Sequence, residues 1–288
     1  RPELAEAWEQ ADDRTFIFRL RKGVKFHDGS EFNAEVARWN LDRMRTHPKS
    51  FKKEDTAAIQ SVDAIGSHAI RVNLKAPTAS LLASLSAAAG RAEIVSKAAV
   101  EKLGDDQFGR RPVGSGPMQF AEWVPDDRLV LKRFDGYWQA GADGKPLPYL
   151  DGVVFRVLLD PAVSILELRA GTLDLTEGLE AKDVARIKAS PDLVYREVPQ
   201  ASAIYLTLGF NQQKGPFAAN RKLRQAALHA VNREAMARVM GGASARAHYY
   251  PYWGPDMLGH DESVPRYEYN PERVRELLRE AGHPAGVD

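Results

Sequence analysis

His27 and Asp28 are adjacent, and a His beside an Asp is the orienting half of a nucleophilic triad. The third member would be a Ser on a strained strand-to-helix turn, and the chain contains no Gly-x-Ser-x-Gly. Asp28-Gly29 is instead an ordinary turn pair, which gives these residues a structural reading. Asp12-Asp13 and Asp126-Asp127 offer adjacent carboxylates for acid–base work, but both lie between strand-like segments, where Asp is favoured in turns. His260-Asp261-Glu262 could hold a metal, yet one His without a second at helical spacing is a weak ligand set. Val113-Gly114-Ser115-Gly116-Pro117 has the glycines of a phosphate-cradling loop. A P-loop needs Lys-Ser/Thr after its last Gly, whereas here Pro117 follows and removes a backbone donor. Arg43, Arg45, Lys49, Lys52 and Lys53 cluster as a nucleic-acid patch would, but Glu54 and Asp55 follow at once. Cations suit the C-terminal end of a helix, so a solvated helix end is the expectation. No enzyme constellation emerges, and neither a metal nor another cofactor is expected.

Composition narrows the classes further. The 288 residues amount to about two domains' worth of chain, enough to bury a large core without staples. Forty Lys+Arg against 39 Asp+Glu leave a formal charge of +1, which supplies no bulk attraction to nucleic acid or an anionic membrane. The absence of Cys removes disulfides, thiolate-bound metals and thiol catalysis together, without fixing the compartment. No stretch approaches the ~18 continuous apolar residues of a membrane span. The chain opens Arg1-Pro2-Glu3-Leu4, with neither Met nor a signal-peptide pattern, and so reads as processed or cut.

The elements that would position these residues alternate between strand and helix patterns. Phe16, Phe18 and Leu20 alternate with Ile17 and Arg19, and Val24-Lys25-Phe26 continues that period after the Lys22-Gly23 turn. Asn33 offers an N-cap to a helix with Val36, Trp39 and Met44 on one face. Ile70, Val72 and Leu74 mark another strand. Phe120–Val124 and Leu129–Lys132 read as a hairpin around Pro125-Asp126-Asp127. The nearly continuous apolar run Val153–Leu159 predicts a strand buried on both faces. Asp160-Pro161 begins a helix that Gly171 stops. Leu173–Leu175, Val194–Val198 and Ile204–Phe210 are expected strands, with a helix carrying Val184 and Ile187 between the first two. The last third is helical, with Asn220 and Asn270 as caps and an aromatic loop from Tyr249 to Pro255. The composition shifts near Asn211, the best candidate lobe boundary, and the whole is a mixed α/β pattern.

Four blocks, in this order, resemble one family, the large peptide-type solute-binding proteins of ABC importers (family 5, with dipeptide-, oligopeptide-, glutathione- and nickel-binding members). The first is Leu4-Ala5-Glu6-Ala7-Trp8-Glu9 followed by Phe16 through Glu35. The second is Pro112-Val113-Gly114-Ser115-Gly116-Pro117, leading to Trp123 and Gly136-Tyr137-Trp138. The third is Phe210-Asn211-Gln212-Gln213-Lys214-Gly215-Pro216-Phe217 with Arg221 to Ala226, and the last runs from Tyr269 to Leu278. Each block is weak alone, whereas four collinear blocks covering essentially the whole chain are specific.

The resemblance implies an α/β, two-lobed periplasmic-binding-protein-like fold (class II, the large peptide-binding type with an extra subdomain), here incomplete. Lobe I would span 1–207, with the extra subdomain at 1–105 and a mixed-sheet part at 106–207. Residues 208–288 would begin lobe II. It implies a non-enzymatic, exported monomer, periplasmic or at the cell surface. That protein would capture a small peptide between two lobes and deliver it to an ABC permease in the membrane, without a nucleic-acid partner. The Phe32-Asn33-Ala34 wording leans to the glutathione/dipeptide branch. A non-peptide solute (nickel chelate, haem or oligosaccharide) is the competing reading, and a hydrolase with an unrecognised carboxylate pair the more distant one. It further implies that the chain starts and stops inside the family pattern.

Peptide recognition calls for backbone donors, aromatic walls and a few fixed charges. By this resemblance Arg91, with Glu93 beside it, falls in a cleft-bordering loop, where a guanidinium can grip a carboxylate with both arms. Either could equally be a solvated loop charge. Phe51, next to Lys52, is a cleft aromatic or satellite core. Tyr205 and Asn211 flank the strand that would cross between lobes, and Tyr205 could instead pack in the sheet. Trp253 in the aromatic loop would line the cleft mouth or pack in the second lobe.

Overall fold

The computed structural model describes residues 2–86, 92–177, 179–196, 209–241, 247, 249 and 260–286. The chain divides into two compact units, Arg1–Val157 and Leu158–Asp288. It is a mixed α/β structure in which each strand has an antiparallel neighbour.

Unit 1 is built on a four-stranded sheet of order β1-β2-β4-β3, from β1 (Ala5–Asp12), β2 (Thr15–Leu20), β3 (Ile59–Ala64) and β4 (Ala69–Leu74). Alternation in β2 and β4 turns Phe16, Phe18, Leu20, Ile70, Val72 and Leu74 to one face, all buried, with Phe16 opposite Val72 and Phe18 opposite Ile70. Helix α1 (Ala34–Thr46) covers that face through Ala34, Ala37 and Leu41. Its N-cap is Asn33, whose Oδ1 accepts the Val36 N–H at 3.0 Å, as expected. Phe26 and Phe32 close the core, edge to face at 6.3 Å between ring centroids. Short helices α2 (Leu81–Leu85), α3 (Lys97–Leu103) and α4 (Asp105–Arg110) follow. A second sheet then forms in the order β5-β6-β7, from β5 (Met118–Val124), β6 (Arg128–Arg133) and β7 (Gly152–Arg156). The expected β5–β6 hairpin turns through Asp126, whose φ of 61° suits a short polar residue that tolerates left-handed backbone.

Unit 2 contains α5 (Pro161–Ala170), α6 (Ala181–Lys188), α7 (Pro216–Ala219), α8 (Arg221–Ala230), α9 (Arg233–Gly241) and α10 (Pro271–Glu280). The expected caps are in place. Asp160 accepts from the Ala162 N–H with Pro161 at the first helical position, and Gly171 ends α5 at φ 72°. Asn220 caps α8 and also donates to the Ala281 carbonyl at 3.2 Å, tying α8 to the end of α10, where Leu223, Ala226 and Leu277 are buried.

Several expectations are corrected. Val24–Phe26 is not a strand; only Lys25 bridges, to Glu31. The buried stripe of α1 is Ala34, Ala37, Asn40 and Leu41, while Val36, Trp39 and Met44 pack only partly, on its flanks. The Val153–Leu159 run is not buried on both faces: Val154 and Phe155 are more than half exposed and Leu159 is 93% exposed. An apolar run reports the wish for cover rather than cover itself, and among the described residues β7 pairs with β6 alone. Leu173–Leu175 and residues 194–196, the described part of Val194–Val198, form no strand among the described residues. The expected lobe boundary at 207, most of Ile204–Phe210 and most of the aromatic loop lie outside the described residues.

Candidate functional site

The segment that precedes α3 is fixed by a polar residue inside the core. Asn40 is 2% exposed and grips Val95 with both ends of its amide: Nδ2 donates to the Val95 carbonyl and Oδ1 accepts the Val95 N–H, each at 2.9 Å. The same Nδ2 donates to the Val36 carbonyl at 2.9 Å. An amide side chain thus stands in for a neighbouring strand, giving Val95 the two bonds that a ladder would. One residue further, Ser96 is fully buried and its N–H donates to the Val113 carbonyl at 3.0 Å. Its Oγ caps α3 by accepting the Ala99 N–H and donates to Asp28 Oδ2 at 2.6 Å.

Asp28 gathers the turn around it, accepting from the Ser30 N–H at 3.0 Å and the Ser30 hydroxyl at 2.6 Å. Burial opposes its ionised carboxylate, but the bonds from Ser30 and Ser96 outweigh burial and hold its pKa below the ordinary value. His27 lies beside it and turns away. Its Nδ1 accepts the Gly114 N–H at 3.3 Å and its Nε2 donates to the Gly116 carbonyl at 2.9 Å. With both ring nitrogens committed to backbone, His27, Asp28 and Ser96 form no relay, and the Val113–Pro117 loop is a docking turn for an imidazole. These clamps lead the chain to the Ile94–Ser96 segment on whose edge Glu93 stands exposed.

The six residues expected at the binding site are placed as follows. Glu93 is solvent-facing, next to the Asn40 clamp. Arg91, Tyr205 and Trp253 lie outside the described residues. Phe51 sits in the turn after α1 and is 98% exposed, which removes its satellite-core reading. Asn211 is exposed, and its Oδ1 accepts the N–H groups of Gln213 at 2.9 Å and Lys214 at 3.1 Å, a local turn that orients the chain before α7. Sequence reasoning missed Asn40 and Ser96. Their signal is a polar residue within an otherwise apolar helical stripe and a Ser three residues before Ala99.

The other candidates resolve into structure. The basic cluster is an ion-pair network, with Arg43 and His47 on Asp105, Arg45 on Asp42, Lys49 near Asp106 and Lys52 on Asp55. Asp105 is held below the usual carboxylate range by the Arg43 guanidinium first and His47 after it. A shallow depression of about 470 Å³ beside it, between Trp39, His47, Pro48 and Val100, is edged by these already paired charges. Asp12 accepts the Arg14 N–H and Asp127 pairs with Arg128, so both acid pairs serve turns. Asp261 accepts the Ser263 N–H at 2.8 Å. Among the described residues no group of three His, Cys, Asp or Glu is placed to hold a metal, and no helix is long and apolar enough to cross a membrane.

The sequence matches the bacterial extracellular solute-binding proteins, family 5 Middle, over residues 1–288. The glutathione-binding protein GsiB of Pectobacterium atrosepticum is 31% identical over 293 residues, covering 98% of this chain and 53% of that protein. Among solved structures, MoaA from A. tumefaciens R10 in complex with mannopinic acid superimposes with a TM-score of 0.78 at 31% identity, covering 100% of this chain and 56% of that one. DppA from Helicobacter pylori in complex with the peptide STSA gives 0.79 at 27% identity, covering 99% and 58%. The chain spans about half the length of the curated relatives it matches. Four collinear sequence blocks, a clamped α/β scaffold and these likenesses agree: the chain belongs to the bacterial extracellular solute-binding proteins of family 5.

Proposed function

We propose that this chain belongs to the solute-binding component of an ABC importer, which captures a small peptide of the glutathione or dipeptide type outside the cytoplasm and hands it to a membrane permease. The observation that carries this reading is the 31% identity to glutathione-binding proteins along 98% of the chain. The mechanism needs no covalent step. Lobes close about the solute, and the solute shifts that two-state equilibrium because it binds the closed form better. Residues 1–207 and 208–288 would contribute to the first and second lobe. Arg91 would grip the peptide carboxylate, Glu93 the ammonium group, and Phe51, Tyr205 and Trp253 would supply aromatic surface, with Asn211 as a polar contact near the hinge.

A thermal-shift screen of the purified protein with glutathione, dipeptides, sugars and metal chelates tests this reading, since stabilisation rises with ligand concentration over Kd. Peptides are expected to raise the unfolding midpoint. A rise with sugars or chelates and none with any peptide sinks the peptide assignment. One observation favours a second reading, a non-peptide solute: MoaA, crystallised with mannopinic acid, is as similar to this chain as GsiB is. Including mannopinic acid in the screen separates the two. For the ligand stabilised best, Arg91→Ala is expected to weaken binding by about tenfold or more, the loss of a charge-assisted pair. An unchanged Kd removes Arg91 from the site.

A further inference from the structure

We propose that His27 is a proton-operated clasp fastening the four-stranded layer of unit 1 to the Gly114–Gly116 turn that enters β5, closed with a neutral imidazole and released by protonation. Three bonds make the clasp. The His27 N–H donates to the Gly114 carbonyl at 2.9 Å, Nδ1 accepts the Gly114 N–H, and Nε2 donates to the Gly116 carbonyl. This arrangement uses one tautomer, with the proton on Nε2, because Nδ1 faces an N–H. The ring is half-buried and meets the edge of Phe134 at 4.9 Å, while the Phe134 N–H donates to the Pro117 carbonyl at 3.0 Å, so both ends of the second sheet's first hairpin close on this joint. A second proton would land on Nδ1, convert the Gly114 bond into a meeting of two N–H groups, and place a charge in the half-buried joint.

Burial is the largest effect and holds the His27 pKa below its ordinary 6.5, against the bond to the Gly116 carbonyl and then the charge of Asp28, both of which favour protonation. The direction of the stability change follows. The stabilisation is complete above the unfolded value near 6.5 and is lost as pH falls from there to the folded value, because the unfolded chain takes up the proton first. Asp28, held below 3.8, titrates outside that window.

The test compares thermal unfolding of the chain with that of His27→Gln between about pH 7.5 and about pH 5. Gln can offer an oxygen to the Gly114 N–H and an amide to the Gly116 carbonyl, but it does not titrate. The wild type is expected to lose about 2–4 °C more than His27→Gln over this range. Subtracting the variant profile removes the other six of the seven histidines. Equal pH slopes in the two proteins overturn the clasp. NMR of the wild type keeps the proposal testable should the variant fail to fold: the ring is expected as the Nε2–H tautomer, titrating below 6.5, with protection of the Gly114 amide falling in step. A ring that titrates at or above 6.5, or Gly114 protection that ignores its titration, contradicts it.

Discussion

Asn40→Ala is expected to lower the stability of unit 1 by about 2–3 kcal/mol, the penalty of leaving both polar groups of a partly buried residue unpaired. Alanine is the better helix former, so α1 itself gains slightly. What is lost is the two-bond grip on Val95 and, with it, the fixed approach to Ser96 and α3. Asn40→Asp separates the two halves of that grip. It keeps an acceptor for the Val95 N–H, loses the donor to the Val95 carbonyl, and buries a charge, so it is expected to be no better than Ala. Denaturant unfolding followed by tryptophan fluorescence reads the change, since Trp39 precedes Asn40 on the same helix. A midpoint unchanged by Asn40→Ala would show that water replaces the amide and that the clamp has no energetic weight. On the proposed site, solute affinity is also expected to fall in Asn40→Ala, because the backbone beside Glu93 loses its grip on Asn40.

Phe26→Ala is expected to have the largest effect on stability, about 3–5 kcal/mol. The ring is fully buried, packs edge to face on Phe32, and belongs to the cluster that joins the main sheet to α1. Its truncation leaves a cavity between two aromatic side chains' worth of packing, with little freedom for the sheet to collapse into it. Phe51→Ser provides the contrast within one residue type. That ring is 98% exposed, so the substitution is expected to change stability by less than about 0.5 kcal/mol. A large destabilisation by Phe51→Ser would show that the ring is covered by packing absent from the described residues.

Much of this was readable from residue types. Period-2 alternation located β2 and β4, because one face of each is buried and the side-chain period of a strand is two, while the Pro125-Asp126-Asp127 turn between two strand-like runs located the β5–β6 hairpin. Cap residues Asn33, Asp160, Asn220 and Asn270 located helix starts for the same kind of local reason. Two strands escaped that logic. β3 buries Ile59 and Val62, three apart, because a register shift between Ile59 and Ser61 breaks the period. β1 is exposed along nearly its whole length and exists by edge pairing with β2, which leaves no hydrophobic signature. The site was less legible than the fold. A residue such as Asn40 acts on Val95 across 55 positions, a relationship that no local pattern encodes, whereas its consequences are plain once the two backbones meet. Phe51 shows the converse: its apolar side chain suggested core, and only its place in a protruding turn decides otherwise.

The family assignment makes solute capture the central claim, and calorimetric titration of the purified protein tests it most directly. Glutathione and a set of dipeptides are titrated in turn, with mannopinic acid, a sugar and a nickel chelate as competitors for the role. Saturable binding of one peptide-class solute at one site per chain, weakened about tenfold or more by Arg91→Ala, is the predicted result. Saturable binding of a non-peptide solute with no heat from any peptide, or binding of neither class, would contradict it.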